Sequence, residues 1–153
     1  MIRSVRGDLL AADAEALVNT VNTAGVMGKG LALGFKRAFP GNFLAYRAAC
    51  QRGEVALGSM FVYYVTALGD APRLVINFPT KGHWRDPSRL DDVRSGLGSL
   101  VDVIARERVR SIAVPPLGCG NGGLDWQGQV RPLVVDALGA VPDLDVQLFE
   151  AWR

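Results

Sequence analysis

Residues 111–126 have the sequence Ser111-Ile112-Ala113-Val114-Pro115-Pro116-Leu117-Gly118-Cys119-Gly120-Asn121-Gly122-Gly123-Leu124-Asp125-Trp126. The first four are typical of a buried strand, and four glycines follow within six residues. A helical pattern then begins, with Asp125 expected to cap it. Glycine lets a ligand approach the backbone closely. A loop between a strand and a helix can also point several N–H groups at one anion. The stretch therefore predicts a cradle for a phosphate or diphosphate, with a flexible turn as the alternative.

Strand and helix patterns alternate on both sides of this loop. Strands are predicted at residues 2–6, 16–18, 59–66, 73–78, 110–114 and 144–149. Helices are predicted at residues 31–39, from a cap at Asn42 to Gly53, from a cap at Ser88 through Ile104, and at 126–138. A turn at 70–72 makes the third and fourth strands a hairpin, and Pro79 is expected to end the fourth. This order predicts a mixed sheet with helices on both faces.

Four loops follow predicted strand ends, at residues 7–9, 19–30, 77–86 and 116–125. Ligands of open α/β sheets bind outside the carboxyl ends of the strands. We therefore expect the four loops to converge on one crevice.

Composition narrows the class of protein. A chain of 153 residues, 49% apolar and 21% charged, is expected to form a single domain over 1–153. The cysteines Cys50 and Cys119 form no C-x-x-C pair and His83 is remote in sequence, so we expect no disulfide framework, no metal site and no cofactor. The N-terminus lacks an apolar signal core and no apolar run is long enough to span a membrane, which favours the cytoplasm.

The early loops offer polar groups that suit a nucleotide. Asp8 could accept a hydrogen bond from the amine of an adenine, or could cap a turn. The amides of Asn19 and Asn22 suit the vicinal hydroxyls of a ribose, with turn chemistry as the alternative. Glycines recur in the loop at 25–30. This loop is not a P-loop, because no Ser or Thr follows Lys29.

A second unusual stretch follows the fourth strand, where a lysine, the single histidine, a tryptophan and an arginine lie within five residues. Lys81 could act as a nucleophile or base if its pKa falls from about 10.4. His83 could move a proton near neutral pH. Trp84 and Arg85 could stack a base and hold its phosphate, as in single-strand binding sites. The alternative is a surface loop whose tryptophan packs into the core.

Taken together, these motifs resemble the macrodomain, an ADP-ribose-binding module. The resemblance rests on four motifs in order, at residues 7–9, 16–22, 25–30 and 116–123. Within that family, residues 18–23, 25–30, 77–81, 83–85 and 121–126 resemble the DarG type, the DNA ADP-ribosylglycohydrolase antitoxins paired with DarT toxins.

The resemblance implies a three-layer α/β/α sandwich around a mixed sheet. It places Asp8 at the adenine, Asn22 and the 25–30 loop at the distal ribose, and the 118–123 loop at the diphosphate. The implied ADP-ribose-binding residues are Asp8, Leu9, Asn19, Asn22, Gly25, Val26, Met27, Gly28, Lys29, Gly30, Leu117, Gly118, Cys119, Gly120, Asn121, Gly122, Gly123 and Leu124. The residues expected near the DNA or its base are Thr80, His83, Trp84 and Arg85.

The resemblance also implies an activity. Lys81 would be the catalytic residue of a hydrolase that removes ADP-ribose from thymine in single-stranded DNA. A related vertebrate glycohydrolase uses an aspartate together with its catalytic lysine. By motif alignment, the position of that aspartate is Gly122 in this chain, so this acid is absent. The expected partners are ADP-ribosylated single-stranded DNA and a DarT-type toxin, whose main binding region in DarG proteins lies beyond this chain; no membrane is expected, and the protein is expected to be monomeric. Two alternatives are a non-catalytic ADP-ribose reader and a hydrolase of protein-linked or O-acyl ADP-ribose.

Overall fold

The computed structural model describes residues 1–65 and 72–150. Its strands are β1 (Ile2–Val5), β2 (Ala16–Asn22), β3 (Phe61–Tyr64), β4 (Leu74–Lys81), β5 (Ser111–Val114) and β6 (Asp145–Phe149). Its α-helices are α1 (Gly30–Ala38), α2 (Pro40–Gln51), α3 (Leu90–Glu107) and α4 (Arg131–Gly139). A short 3-10 helix spans Leu9–Ala11 and a π-helical turn spans Trp126–Val130. None of the described helices is long and apolar enough to cross a membrane.

The strands form one mixed sheet in the order β1-β6-β5-β2-β4-β3. Only the β3–β4 pair is antiparallel, so the predicted hairpin is confirmed. Two residues of its predicted turn, Asp70 and Ala71, lie outside the described residues. The other pairs, β1–β6, β6–β5, β5–β2 and β2–β4, are parallel. Parallel strands end at a common edge, and this edge carries the loops singled out in the sequence.

Alternate residues of the central strands face two different cores. Val18, Ile76 and Ile112 pack with α3 and α4 on one face of the sheet. Leu17 and Val75 pack with α1 on the opposite face. Because successive strand residues point to opposite faces, a sheet covered on both sides needs apolar residues at nearly every position. The predicted three-layer α/β/α arrangement is therefore confirmed.

Strand β4 runs through Pro79 to Lys81, so the prediction that Pro79 ends the strand was wrong. Its antiparallel neighbour β3 begins at Phe61, which lies opposite Asn77. Beyond that residue β4 is bordered only by β2, and at such an edge the missing N–H of proline costs little. The extension places Lys81 opposite Asn22 of β2.

The two predicted serine and asparagine caps were also wrong. Helix α2 begins at Pro40, whose fixed φ suits the first helical position. Asn42 is instead buried and exchanges hydrogen bonds with Asn77, at 2.8 and 3.2 Å. Helix α3 begins at Leu90 without a side-chain cap. Ser88 is buried beside the glycine loop at residues 118–123, where its backbone N–H donates to the carbonyl of Gly122 at 2.9 Å.

Candidate functional site

A cavity of about 1070 Å³ opens at the carboxyl ends of β2, β4 and β5. Ligand pockets of proteins typically hold about 300–1,000 Å³, so this one is large enough for a nucleotide with a further group attached. It is lined by residues 20–22, 26, 28–32, 80–81, 84–85, 115–116, 118–122, 124–126 and 150.

Three of the four loops expected to converge do so. The predicted site residues that line the cavity are Asn22, Val26, Gly28, Lys29, Gly30, Thr80, Lys81, Trp84, Arg85, Gly118, Cys119, Gly120, Asn121, Gly122 and Leu124. Those outside its lining are Asp8, Leu9, Asn19, Gly25, Met27, His83, Leu117 and Gly123.

Asp8 and Asn19 do not line the cavity, and their side chains form hydrogen bonds within the fold instead. The Asp8 carboxylate accepts a hydrogen bond from the N–H of Leu10 at 3.0 Å and so caps the 3-10 helix. The fully buried Asn19 donates to Asn77 at 3.3 Å and to the sulfur of Met27 at 3.9 Å. Asn19 thereby links β4 to the underside of the first glycine loop.

The first glycine loop, residues 25–30, is organised by Asn22. Its Oδ1 accepts hydrogen bonds from the backbone N–H groups of Ala24, Gly25 and Val26 at 3.0, 3.1 and 3.3 Å. The buried hydroxyl of Tyr46 adds a fourth at 2.9 Å, and burial raises the pKa of Tyr46 well above its usual value. The Nδ2 of Asn22 donates to the carbonyl of Val26 at 2.9 Å, which leaves one N–H for a ligand.

The second glycine loop, residues 118–123, presents backbone donors. Gly118 and Gly123 have φ of +73° and +83°, values that favour glycine, and Leu124 N–H donates back to the carbonyl of Gly118 at 3.0 Å. Within the part of the chain that the structure describes, four N–H groups of this loop have no acceptor: those of Gly118, Gly120, Asn121 and Gly122. All four residues line the cavity, and unpaired amides are what an anion such as a diphosphate requires.

Little space separates this loop from Ser88. A Cβ at Gly118 would lie 3.1 Å from Ser88 Cβ, and a Cβ at Gly122 would lie 2.8 Å from the same atom and collide with Ser88 Oγ. The Ser88 hydroxyl is buried and has no partner among the described residues. Glycine at 118 and 122 therefore allows both the backbone turn and the close approach of Ser88, two residues before α3.

Cys119 has the properties of an inert thiol. It is partly buried, and its Sγ donates to the carbonyl of Leu117 at 3.4 Å. Burial, assisted by the charge of Asp125, raises the pKa of Cys119 to about 11. A thiol with that pKa is protonated near neutral pH and is a poor nucleophile.

Lys81 extends into the cavity from the end of β4. Its Nζ donates to the carbonyl of Trp84 at 2.8 Å. Burial lowers the pKa of the Lys81 ammonium, the charge of Asp86 acts in the opposite direction, and Lys29 lowers it further. The amine thus has a larger neutral fraction than a surface lysine, as a nucleophile requires.

The sequence analysis missed Asp86, which closes the loop after Lys81. Its Oδ2 accepts a hydrogen bond from the N–H of His83 at 3.0 Å, and its own N–H donates to the carbonyl of His83 at 3.0 Å. The one available signal was an acid five residues after the lysine in an irregular stretch.

The rim of this loop carries the aromatic pair. The rings of His83 and Trp84 stack with centroids 3.7 Å apart, and Trp84 is 44% exposed. The N–H of Arg85 donates to Nδ1 of His83 at 3.0 Å. Trp84 is therefore accessible at the mouth of the cavity, and its contact with a base stays a prediction.

The described residues contain no cluster of side chains suited to bind a metal ion. Among the residues that the structure describes, no three histidine, cysteine or acidic side chains are grouped to hold a metal ion.

The fold and cavity together define a class of protein. Parallel strands end at a cleft of nucleotide size, and two glycine loops border it, so the class is that of α/β modules that bind a phosphorylated ligand. The chain belongs to the macrodomain family, since the Macro domain model matches residues 18–132.

Comparison with known proteins refines this placement. The DNA ADP-ribosyl glycohydrolase of Thermus aquaticus is 57% identical over 150 residues, which cover 98% of this chain and 41% of that protein. The macrodomain of Mycobacterium tuberculosis DarG is 54% identical with a TM-score of 0.96, covering 99% of this chain and 98% of that one. Thermosipho africanus DarTG in complex with ADP-ribose is 35% identical with a TM-score of 0.89, covering 97% and 41%. The resemblance to DarG macrodomains is confirmed, and the chain spans about two-fifths of its curated relative's length.

Proposed function

We propose that this macrodomain is a hydrolase that removes ADP-ribose from thymine bases of single-stranded DNA, with Lys81 as its catalytic residue. The observation that carries the proposal is the position of the Lys81 amine. It has a lowered pKa and lines the same cavity as the unpaired N–H groups of the second glycine loop. The similarity to proteins named DNA ADP-ribosyl glycohydrolase supports the choice of substrate.

The two glycine loops have the binding role in this proposal. The unpaired amides of residues 118–122 hold the diphosphate, and the loop at 25–30 borders the distal ribose. The T. africanus relative, whose structure contains ADP-ribose, supports this ligand. Such clamping fixes the anomeric carbon relative to Lys81, and positioning of this kind accounts for much of an enzyme's rate enhancement.

Lys81 then acts at the anomeric carbon in one of two ways. In the covalent route its neutral amine forms a bond to that carbon while the bond to the thymine nitrogen breaks, and the departing base takes up a proton. Ring opening gives an imine that water hydrolyses to ADP-ribose and free Lys81. In the non-covalent route the ammonium stabilises the departing base while water attacks. No acid is available at Gly122, so both routes depend on the lysine.

The test compares three substrates in parallel: ADP-ribosylated single-stranded DNA, ADP-ribosylated protein and O-acetyl-ADP-ribose. We expect release of ADP-ribose from the DNA, and loss of this release in Lys81→Ala while affinity for free ADP-ribose is retained. Arg3→Ala, on the far edge strand β1, is the matched control. Lys81→Arg keeps the charge but not the nucleophile, and borohydride traps an imine, so together they separate the two routes.

Hydrolysis of modified DNA by Lys81→Ala at the wild-type rate would refute the role of Lys81. Binding of ADP-ribose with no hydrolysis of any substrate would favour the reader, and cleavage of the protein or acyl substrate alone would change the substrate class.

The proposal includes a biological setting. A DarT-type toxin would make the modification that this domain removes, as the fusion of a DNA ADP-ribosyl transferase to a glycohydrolase in T. africanus suggests. We propose that the domain acts as a monomer in the cytoplasm, where its DNA substrate would be found.

A further inference from the structure

Charge is distributed unevenly along this chain. Residues 16–53 contain five basic residues and no acidic one, and the rest of the chain holds the other 12 basic and all 15 acidic residues. Helices α1 and α2 both lie within this segment and pack against each other. They cover one face of the sheet, so the basic residues of this segment lie on that side of the molecule.

Two of these cations are held over one aromatic ring. The Nζ of Lys36 lies 4.4 Å from the centroid of Phe43, and the guanidinium carbon of Arg47 lies 5.2 Å from it. Both cationic residues are exposed, and neither forms an ion pair within the described residues. Arg52, in contrast, is paired with Glu54 at 2.6 Å. The ring fixes Lys36 and Arg47 next to each other while their charges stay available.

This pair of cations is connected to the reacting end of the cavity. The N–H of Thr23 donates to the carbonyls of Lys81 and Gly82 at 3.1 and 3.0 Å, so the start of the first glycine loop lies against the end of β4. Gly25 follows Thr23 by two residues, and the side chain of Arg47 packs beside it. The Cγ of Arg47 lies 3.7 Å from the position that a Cβ on Gly25 would take. Only a few residues of continuous contact therefore separate Lys81 from Arg47.

We propose that Lys36 and Arg47, held together by the ring of Phe43 and here called with it the α1–α2 basic face, bind the backbone phosphates of the DNA strand next to the modified base. The inference rests on the proposed function, because it assigns a path to the strand whose base lies near Lys81. The occupant is chosen by charge complementarity: a single strand carries one negative charge per nucleotide, and this face offers two cations that form no ion pair within the described residues.

The dimensions fit a short stretch of strand. Lys29 lines the cavity and Lys36 lies seven residues further along the chain. At about 1.5 Å per helical residue, this separation is about 10 Å, which one or two nucleotides span. The contacts are to phosphates, so the face adds affinity without selecting a base sequence.

The experiment measures binding of an ADP-ribosylated single strand of about 12 nucleotides, a length within the usual range of single-strand sites. It uses Lys81→Ala protein so that the substrate persists, compares it with free ADP-ribose, and varies the salt concentration. The test variant is Lys36→Ala/Arg47→Ala. The matched control Arg3→Ala/Arg110→Ala removes the same charge from exposed positions at β1 and just before β5.

Each lost phosphate contact lowers the salt slope of a single strand by about 0.7, which at about 0.1 M salt is about fivefold in affinity. We therefore expect the test variant to bind the oligonucleotide about 25-fold more weakly, with a slope smaller by about 1.4. Affinity for ADP-ribose should not change, and the control should bind the oligonucleotide as the parent does.

Equal oligonucleotide affinity in test variant and parent, or an equal loss in the control, overturns the α1–α2 basic face. Failure of the proposed function is visible separately, in wild-type protein that binds the modified strand in a salt-dependent way and does not hydrolyse it. In that outcome the face stands and the activity does not.

Discussion

The Gly122→Ala substitution tests how closely the second glycine loop packs on Ser88, two residues before α3. The new Cβ would collide with the hydroxyl of Ser88 and the carbonyl of Gly118, and would lie 2.8 Å from Ser88 Cβ. Ordinary contact begins near 3.4 Å, so the loop or the start of α3 has to move by about 0.6 Å or more. Overpacking of this kind costs about 1–3 kcal/mol.

This free-energy cost will appear either in the Kd for ADP-ribose or in the Tm of the protein. If the loop moves, its amides leave the diphosphate, and the Kd for ADP-ribose measured by calorimetry rises about 5- to 150-fold, since 1.4 kcal/mol is tenfold. If the loop stays, unfolding takes up the cost, and Tm falls by about 2–4 °C per kcal/mol. The sum of the two losses should reach at least about 1 kcal/mol.

Two further variants make the test specific. Gly120→Ala, in the same loop, meets no atom within 4 Å and should leave Tm unchanged. Adding Ser88→Gly to Gly122→Ala removes the Ser88 contacts but leaves the Gly118 carbonyl, so recovery should be partial. Wild-type values of both Kd and Tm in Gly122→Ala would show that the packing described here is wrong.

Two more predictions use substitutions elsewhere. In α3, Gly98→Ala should raise the free energy of unfolding by about 0.5–1 kcal/mol, because its Cβ meets open space. Gly96→Ala should lower it by about 1–3 kcal/mol, because its Cβ collides with the Phe78 ring. Chemical denaturation of both variants measures these changes, and destabilisation by Gly98→Ala would contradict the prediction. Asp86→Asn keeps an acceptor in the loop but removes a charge that favours the Lys81 ammonium. The Lys81 pKa should fall, so the acidic limb of the pH–rate profile should move to lower pH if the neutral amine reacts; a shift to higher pH would contradict covalent attack.

Local sequence was a reliable guide to the elements and to the glycine loops. Apolar periodicity predicts the strands and helices because strands repeat every two residues and helices about every 3.6. The loops that follow parallel strands lie together because these strands all end at the same edge of the sheet. The cap predicted at Asp125 is confirmed, since its carboxylate accepts from Gly128 N–H at 3.1 Å. A cap satisfies its own neighbours, so a few adjacent residues suffice to predict it.

The two wrong helix caps have a common cause in partners distant along the chain. Asn42 is paired with Asn77, and Ser88 packs on Gly122, over separations of more than thirty residues. A polar side chain that finds a buried partner no longer serves the nearby helix end, and local propensity cannot show this. The role of Tyr46 in holding Asn22 likewise has no signal in its own neighbourhood.

The unpaired amides of the second glycine loop mean that the two halves of the site differ in how they respond to mutation. A diphosphate held by main-chain N–H groups has few side-chain contacts to delete, so alanine scanning of this half will report only changes in backbone geometry. The half around Lys81 is made of side chains and can be altered one residue at a time. Under the proposed function, changes in the chemistry or the attached group can therefore arise around Lys81 while the proposed ADP-ribose contacts are left intact.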